Sequence, residues 1–99
     1  MKKIIKIKYI NFERIGMNEY YIKEAKKDNY LKKHEMIEAI GFLYKYDKKF
    51  IFISMTTDRY NYRKCPFYAI PNIAIFSVYV LENSKWKKIS KWKKIMKNA

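Results

Sequence analysis

The chain has 99 residues, 49% of them hydrophobic, which is enough for one domain with a modest core and no disulfide staples. Its formal charge is +14, from 23 Lys+Arg against 9 Asp+Glu, a balance that favours polyanions such as nucleic acid, nucleotides or an anionic membrane surface. Cys65 is the single cysteine, so an intrachain disulfide is excluded, and no apolar run approaches the roughly 20 residues of a membrane span.

The charge is carried by lysine. Only Arg14, Arg59 and Arg63 are arginine, and Ile, Tyr, Phe and Asn are abundant while Gly, Pro and Ala are scarce. Those abundant residues have AT-rich codons, so base composition accounts for part of the lysine excess without any anionic partner. The opening MKKIIKIKYI begins positively, but Lys6 and Lys8 interrupt its apolar residues, which argues against a signal peptide. The expected setting is reducing cytoplasm, of a cell or of a cell hosting a phage or plasmid.

In chain order, Lys3 to Phe12 alternates lysine with isoleucine or tyrosine and predicts a half-exposed strand ended by Gly16. Asn18 caps a predicted helix that places Tyr21, Ile22 and Ala25 inward and Lys23, Glu24, Lys26 and Lys27 toward water, with Asp28-Asn29 closing it. From Glu35 to Tyr46 both parities are largely apolar, which predicts a central strand. Gly41 in its middle marks a bulge or sharp bend. Asp47-Lys48 turns this strand into Lys49 to Met55, making a hairpin. Thr56 to Lys64 reads as polar and irregular. A short strand runs from Pro66 to Ile70, Pro71-Asn72 makes a tight connection, and Ile73 to Leu81 is the most strand-like run of all.

The chain closes on KWKKISKWKKIMK, Lys85 to Lys97, in which KWKKI is written twice. At about 100° per residue, Trp86, Ile89, Trp92, Ile95 and Met96 share one half of a helix, which predicts a C-terminal helix laying both tryptophans on the core. The rival arrangement is a hairpin in which Asn83-Ser84 returns Leu81-Glu82 into Trp86-Lys87-Lys88-Ile89.

The stretches IGFLYKYDKKFIFIS and FYAIPNIAIFSVYVL, a bent glycine-containing strand with its hairpin and two strands joined by a proline step, resemble the small Sm-like barrels. They are also similar to small phage and bacterial proteins with a "GFL…D…I.I…IP…I" layout. The resemblance implies a barrel, ring assembly and RNA binding. The expected fold is therefore α+β and mainly β, a single domain over 1–99: a small bent antiparallel sheet or Sm-like barrel with one N-terminal helix and a C-terminal helix.

Little catalytic chemistry is visible. His34 is the lone histidine, so His and Cys cannot assemble a metal set, and HEMIE lacks the second histidine of a zinc-protease helix. Cys65 with His34 is the only thiol and base available, and two glycines cannot build a phosphate loop. The strongest binding constellation is TTDRYNYRKCPFY, where Arg59, Tyr60, Tyr62, Arg63, Lys64 and Tyr68 mix guanidinium forks with aromatic faces. The expected function is a non-enzymatic basic module capturing nucleic acid or a nucleotide signal, in the manner of a phage or mobile-element factor that inhibits host defence. The alternative is a protein-interaction inhibitor that binds a host nucleoprotein or enzyme complex. No metal or cofactor is expected, and exposed strand edges predict a homo-oligomer.

Overall fold

The computed structural model describes residues 3–54 and 67–97. Its frame is a six-stranded antiparallel sheet built from β1 (Ile4–Ile10), β2 (Met36–Tyr46), β3 (Phe50–Ser54), β4 (Phe67–Pro71), β5 (Ile75–Glu82) and β6 (Lys85–Lys88), in the order β4-β3-β2-β1-β5-β6. Three short helices, α1 (Phe12–Ile15), α2 (Glu19–Lys27) and α3 (Asn29–His34), fill the connection from β1 to β2. A fourth, α4 (Trp92–Lys97), ends the chain.

Period-2 alternation divides the sheet into two unlike faces. Ile5, Ile7 and Tyr9 of β1 point inward, in register with Gly41, Ala39 and Ile37 of β2, and Ile5 and Ile7 also face Val80 and Val78 of β5. Ile51, Ile53 and Ile70 extend this face, and Ile22 and Ala25 of α2, Phe12 of α1 and Trp92 of α4 cover it, giving one contiguous core. Lys6, Lys8, Glu38, Ile40 and Tyr79 take the opposite parity and form the outer face, with Met36 and Ile40 exposed among them.

The bend is a close-packing feature. A Cβ at Gly41 would lie 2.9 Å from the Ser54 carbonyl oxygen and 3.4 Å from Ile53 Cβ, so only glycine lets β2 and β3 approach this closely. The register slips between Leu43 and Lys45, a bulge that sharpens the same curvature. At the hairpin tip, Asp47 Oδ1 accepts hydrogen bonds from the Lys49 and Phe50 amides, both at 2.8 Å, which hold its carboxyl below the usual value.

Several boundaries differ from those expected. β1 stops at Ile10 because Asn11 accepts from the Arg14 amide and starts the single turn of α1, and it is α1 that Gly16, at φ 107°, terminates. Asp28 ends α2 and its side chain caps α3 by accepting from the Leu31 amide, so the helical segment continues past Asp28-Asn29. The sheet is open. β6 occupies the free edge of β5, and no pairing between β4 and β6 joins the two edges among the described residues, so the closed barrel is not reached.

The C-terminal segment divides. A single helix over both tryptophans is replaced by a hairpin followed by a short helix. Asn83 and Ser84 adopt left-handed φ of 51° and 62°, the backbone a two-residue hairpin turn requires. They return the chain as β6, with Leu81 opposite Trp86 and Tyr79 opposite Lys88. Trp86 therefore reaches the outer face at 36% exposure, while Trp92 is 7% exposed and packs as core.

Candidate nucleic-acid interface

Among the described residues the outer face over β1, β5 and β6 combines aromatic rings with lysines. Antiparallel register places Lys6 beside Tyr79, and Tyr79 beside Lys88. Lys6 Nζ lies 4.9 Å from the Tyr79 ring centroid and 4.8 Å from that of Trp86, a single ammonium wedged against two rings. Lys8 Nζ lies 5.4 Å from the same Tyr79 ring. Glu38 of β2 approaches Lys6 at 3.6 Å, and Lys8 and Lys88 make no ion pair among the described residues.

These contacts follow from sheet geometry. Strands about 4.8 Å apart bring side chains of matched parity into contact, so residues more than seventy positions apart in sequence meet. The Lys6 side chain is largely withdrawn from water, with its ammonium group against both rings. The Tyr79 hydroxyl is held below the usual tyrosine value, first by its hydrogen bond with Ser77 and then by Lys8, Lys88 and Lys6, with desolvation opposing. A second aromatic group stands toward the other end of the sheet, where Tyr44 and Phe67 stack at 3.9 Å between centroids and Lys45 Nζ lies 4.7 Å from the Phe52 ring.

Of the residues singled out in the sequence, Arg59, Tyr60, Tyr62, Arg63 and Lys64 lie outside the described residues, as does Cys65. Tyr68 lies on β4 and turns inward: its hydroxyl accepts from Tyr9 at 3.2 Å and donates to Glu13 Oε1 at 2.7 Å. Burial, followed by these two bonds, pushes its ionisation upward, so Tyr68 supports the core edge in this arrangement. His34 packs its ring 4.3 Å from that of Tyr30. No three His, Asp or Glu side chains gather as a metal site among the described residues, and no described helix is long and apolar enough to cross a membrane.

Lys6, Lys8, Tyr79, Trp86 and Lys88 escaped the sequence reading as a group because only strand register joins them. The available signal was the alternation Lys6-Ile7-Lys8 in a strand rich in apolar residues: lysines on a sheet face need something to lie on. Compared with known proteins, the chain matches no family model, no curated protein and no solved structure.

Proposed function

We propose that this protein is a non-enzymatic binding module that takes single-stranded nucleic acid on the outer face of its sheet. The observation that carries the reading is the Lys6 ammonium held between the Tyr79 and Trp86 rings, with Lys8 and Lys88 beside them. Trp86 is exposed and Tyr79 half-buried beside it; aromatic rings stack on bases of any sequence and neighbouring ammonium groups neutralise phosphates, so the pair suits a flexible strand better than a duplex. In this reading the open sheet is a relative of the Sm-like barrel, on the strength of its strand order, the bend at Gly41 and the 3-10 turn Asn72–Ala74 between β4 and β5. The module acts in the cytoplasm as a homo-oligomer, in the service of a phage or mobile element against a host defence.

Titration of a labelled single-stranded oligothymidine at rising salt tests this. If Lys8, Lys88 and one further lysine each neutralise a phosphate, the slope of log affinity against log salt is about −2. Tyr79→Ala and Trp86→Ala each weaken binding by about ten-fold or more. Failure to bind at low salt overturns the reading. A second reading, a protein-interaction inhibitor, draws on the apolar Met36 and Ile40, 42% and 48% exposed on the same face. It predicts capture of a protein partner with little salt dependence.

A further inference from the structure

A separate cleft of about 490 Å³ lies on the helical side of the molecule, lined by Lys23, Lys26 and Lys27 of α2, Lys48 of the β2–β3 turn, Asn72 and Ile73 of the 3-10 turn, and Trp92 and Lys93 of α4. Three of these elements, α2, the β2–β3 turn and α4, deliver five lysines to one concavity whose lining includes no carboxylate. Its size falls in the range of small-molecule sites.

The framework is tied together. The Asn72 amide donates to the Lys49 carbonyl oxygen at 2.8 Å and Asn72 Nδ2 donates to that of Asp47 at 3.1 Å, which fixes the hairpin tip, and with it Lys48, against the 3-10 turn. Lys26 Nζ donates to the Ile75 carbonyl oxygen at 2.8 Å, so this ammonium is fixed at the wall. Glu19 and Glu24 engage Lys23 at 3.0 Å and Lys27 at 3.9 Å along α2. Lys26, Lys48 and Lys93 have no ion-pair partner among the described residues.

We propose that this cleft binds a compact phosphate-bearing small molecule, its phosphates among Lys26, Lys48 and Lys93 and its flat or apolar portion against Trp92 and Ile73. A solvated surface would let five lysines spread apart. Here burial and the neighbouring Lys93 together lower the Lys26 ionisation to about 8, the mark of a positive charge held where water and counter-charge are both short. An anion supplies the missing charge, and a phosphate offers acceptor oxygens to several ammonium groups at once. Trp92 adds an apolar wall that inorganic phosphate alone does not use.

The site is independent of the outer-face reading, and its test is built to keep the two apart. The full chain carrying Trp86→Phe, so that Trp92 is the sole tryptophan, is titrated with inorganic pyrophosphate, with ATP and with adenosine while Trp92 emission is followed. Pyrophosphate and ATP are expected to give a saturable change in the micromolar to millimolar range, with ATP the tighter and adenosine silent. Lys48→Met and Lys93→Met, both at exposed positions, are each expected to weaken pyrophosphate and ATP about ten-fold while the melting temperature stays put. Lys8→Met on the outer face is expected to leave them unchanged, and Lys48→Met is expected to leave oligothymidine affinity unchanged. The proposal is overturned by no saturable response, by adenosine binding as well as ATP, by ATP binding where pyrophosphate does not, or by Lys8→Met costing as much as Lys48→Met, which would reduce the cluster to diffuse charge.

Discussion

The pentapeptide KWKKI occurs at 85–89 and again at 91–95, and the two copies fold differently. The first supplies β6, with Trp86 on the outer face; the second enters α4, with Trp92 in the core. Since the local sequence is identical, local propensity cannot be the cause. The first copy follows the left-handed Asn83-Ser84 turn and meets the free edge of β5, whose backbone groups template a strand. The second copy runs past that edge. After the Ile89 amide makes the last bond, to the Val78 carbonyl oxygen at 2.8 Å, the chain satisfies its own backbone, with Lys94 and Ile95 both donating to the Lys91 carbonyl oxygen. Tertiary context therefore assigns one tryptophan to stability and the other to an exposed face.

The contrast breaks most visibly on truncation of each tryptophan. Trp92→Ala is expected to cost about 3–5 kcal/mol, because it empties a core position, while Trp86→Ala is expected to cost less than about 1 kcal/mol and to weaken oligonucleotide binding instead. Paired urea melts measure both. Equal losses would erase the distinction.

Gly41→Ala probes the bend where β2 and β3 approach each other closely. The added methyl meets the Ser54 carbonyl oxygen at 2.9 Å, and the expected loss is about 1–3 kcal/mol, read from the same melts. An unchanged midpoint would mean that β2 and β3 do not approach as described.

On the helical side, Lys26 links stability to pH. Its folded ionisation, about 8, lies below the ordinary 10.5, so between these values the unfolded chain holds a proton that the folded chain has released. Stability of the native chain relative to Lys26→Met should therefore rise as pH rises from about 8 to 10.5, and be flat below 8. Denaturant midpoints for the two proteins across this range check the sign. A falling difference would put Lys26 in a stabilising ion pair.

Smallest is the turn itself. Ser84 holds a left-handed φ of 62°, which glycine adopts freely, so Ser84→Gly is expected to stabilise by up to about 1 kcal/mol. A loss of stability on thermal melting would mean the Ser84 side chain contributes more than its backbone strain costs.

Much of the sheet is legible in the sequence, because strand period and turn chemistry are local: Ile5, Ile7 and Tyr9 alternate visibly, Asp47 announces its hairpin, and Gly41 marks the bend. α1 and α3 are not legible, since four and six residues are too few to show a helical period. The spacing of Trp86 fits both a helical wheel and a strand followed by a helix, and the free edge of β5 that decides between them is a tertiary fact. The outer face was hidden for the same reason: register, not spacing, joins Lys6 to Tyr79 and Trp86. Lys26 looked solvated because α2 alone presents it to water; Ile75 and Lys93, which enclose it, arrive from later elements.

The two tryptophans allow one measurement to address the outer face most directly. Incorporation of 5-fluorotryptophan gives two 19F resonances, assigned with Trp86→Phe, and single-stranded oligothymidine is then added at low salt. The Trp86 resonance is expected to shift and broaden with saturation while the Trp92 resonance stays in place. Binding that moves Trp92 and leaves Trp86 unmoved would contradict it, as would an oligonucleotide that moves neither.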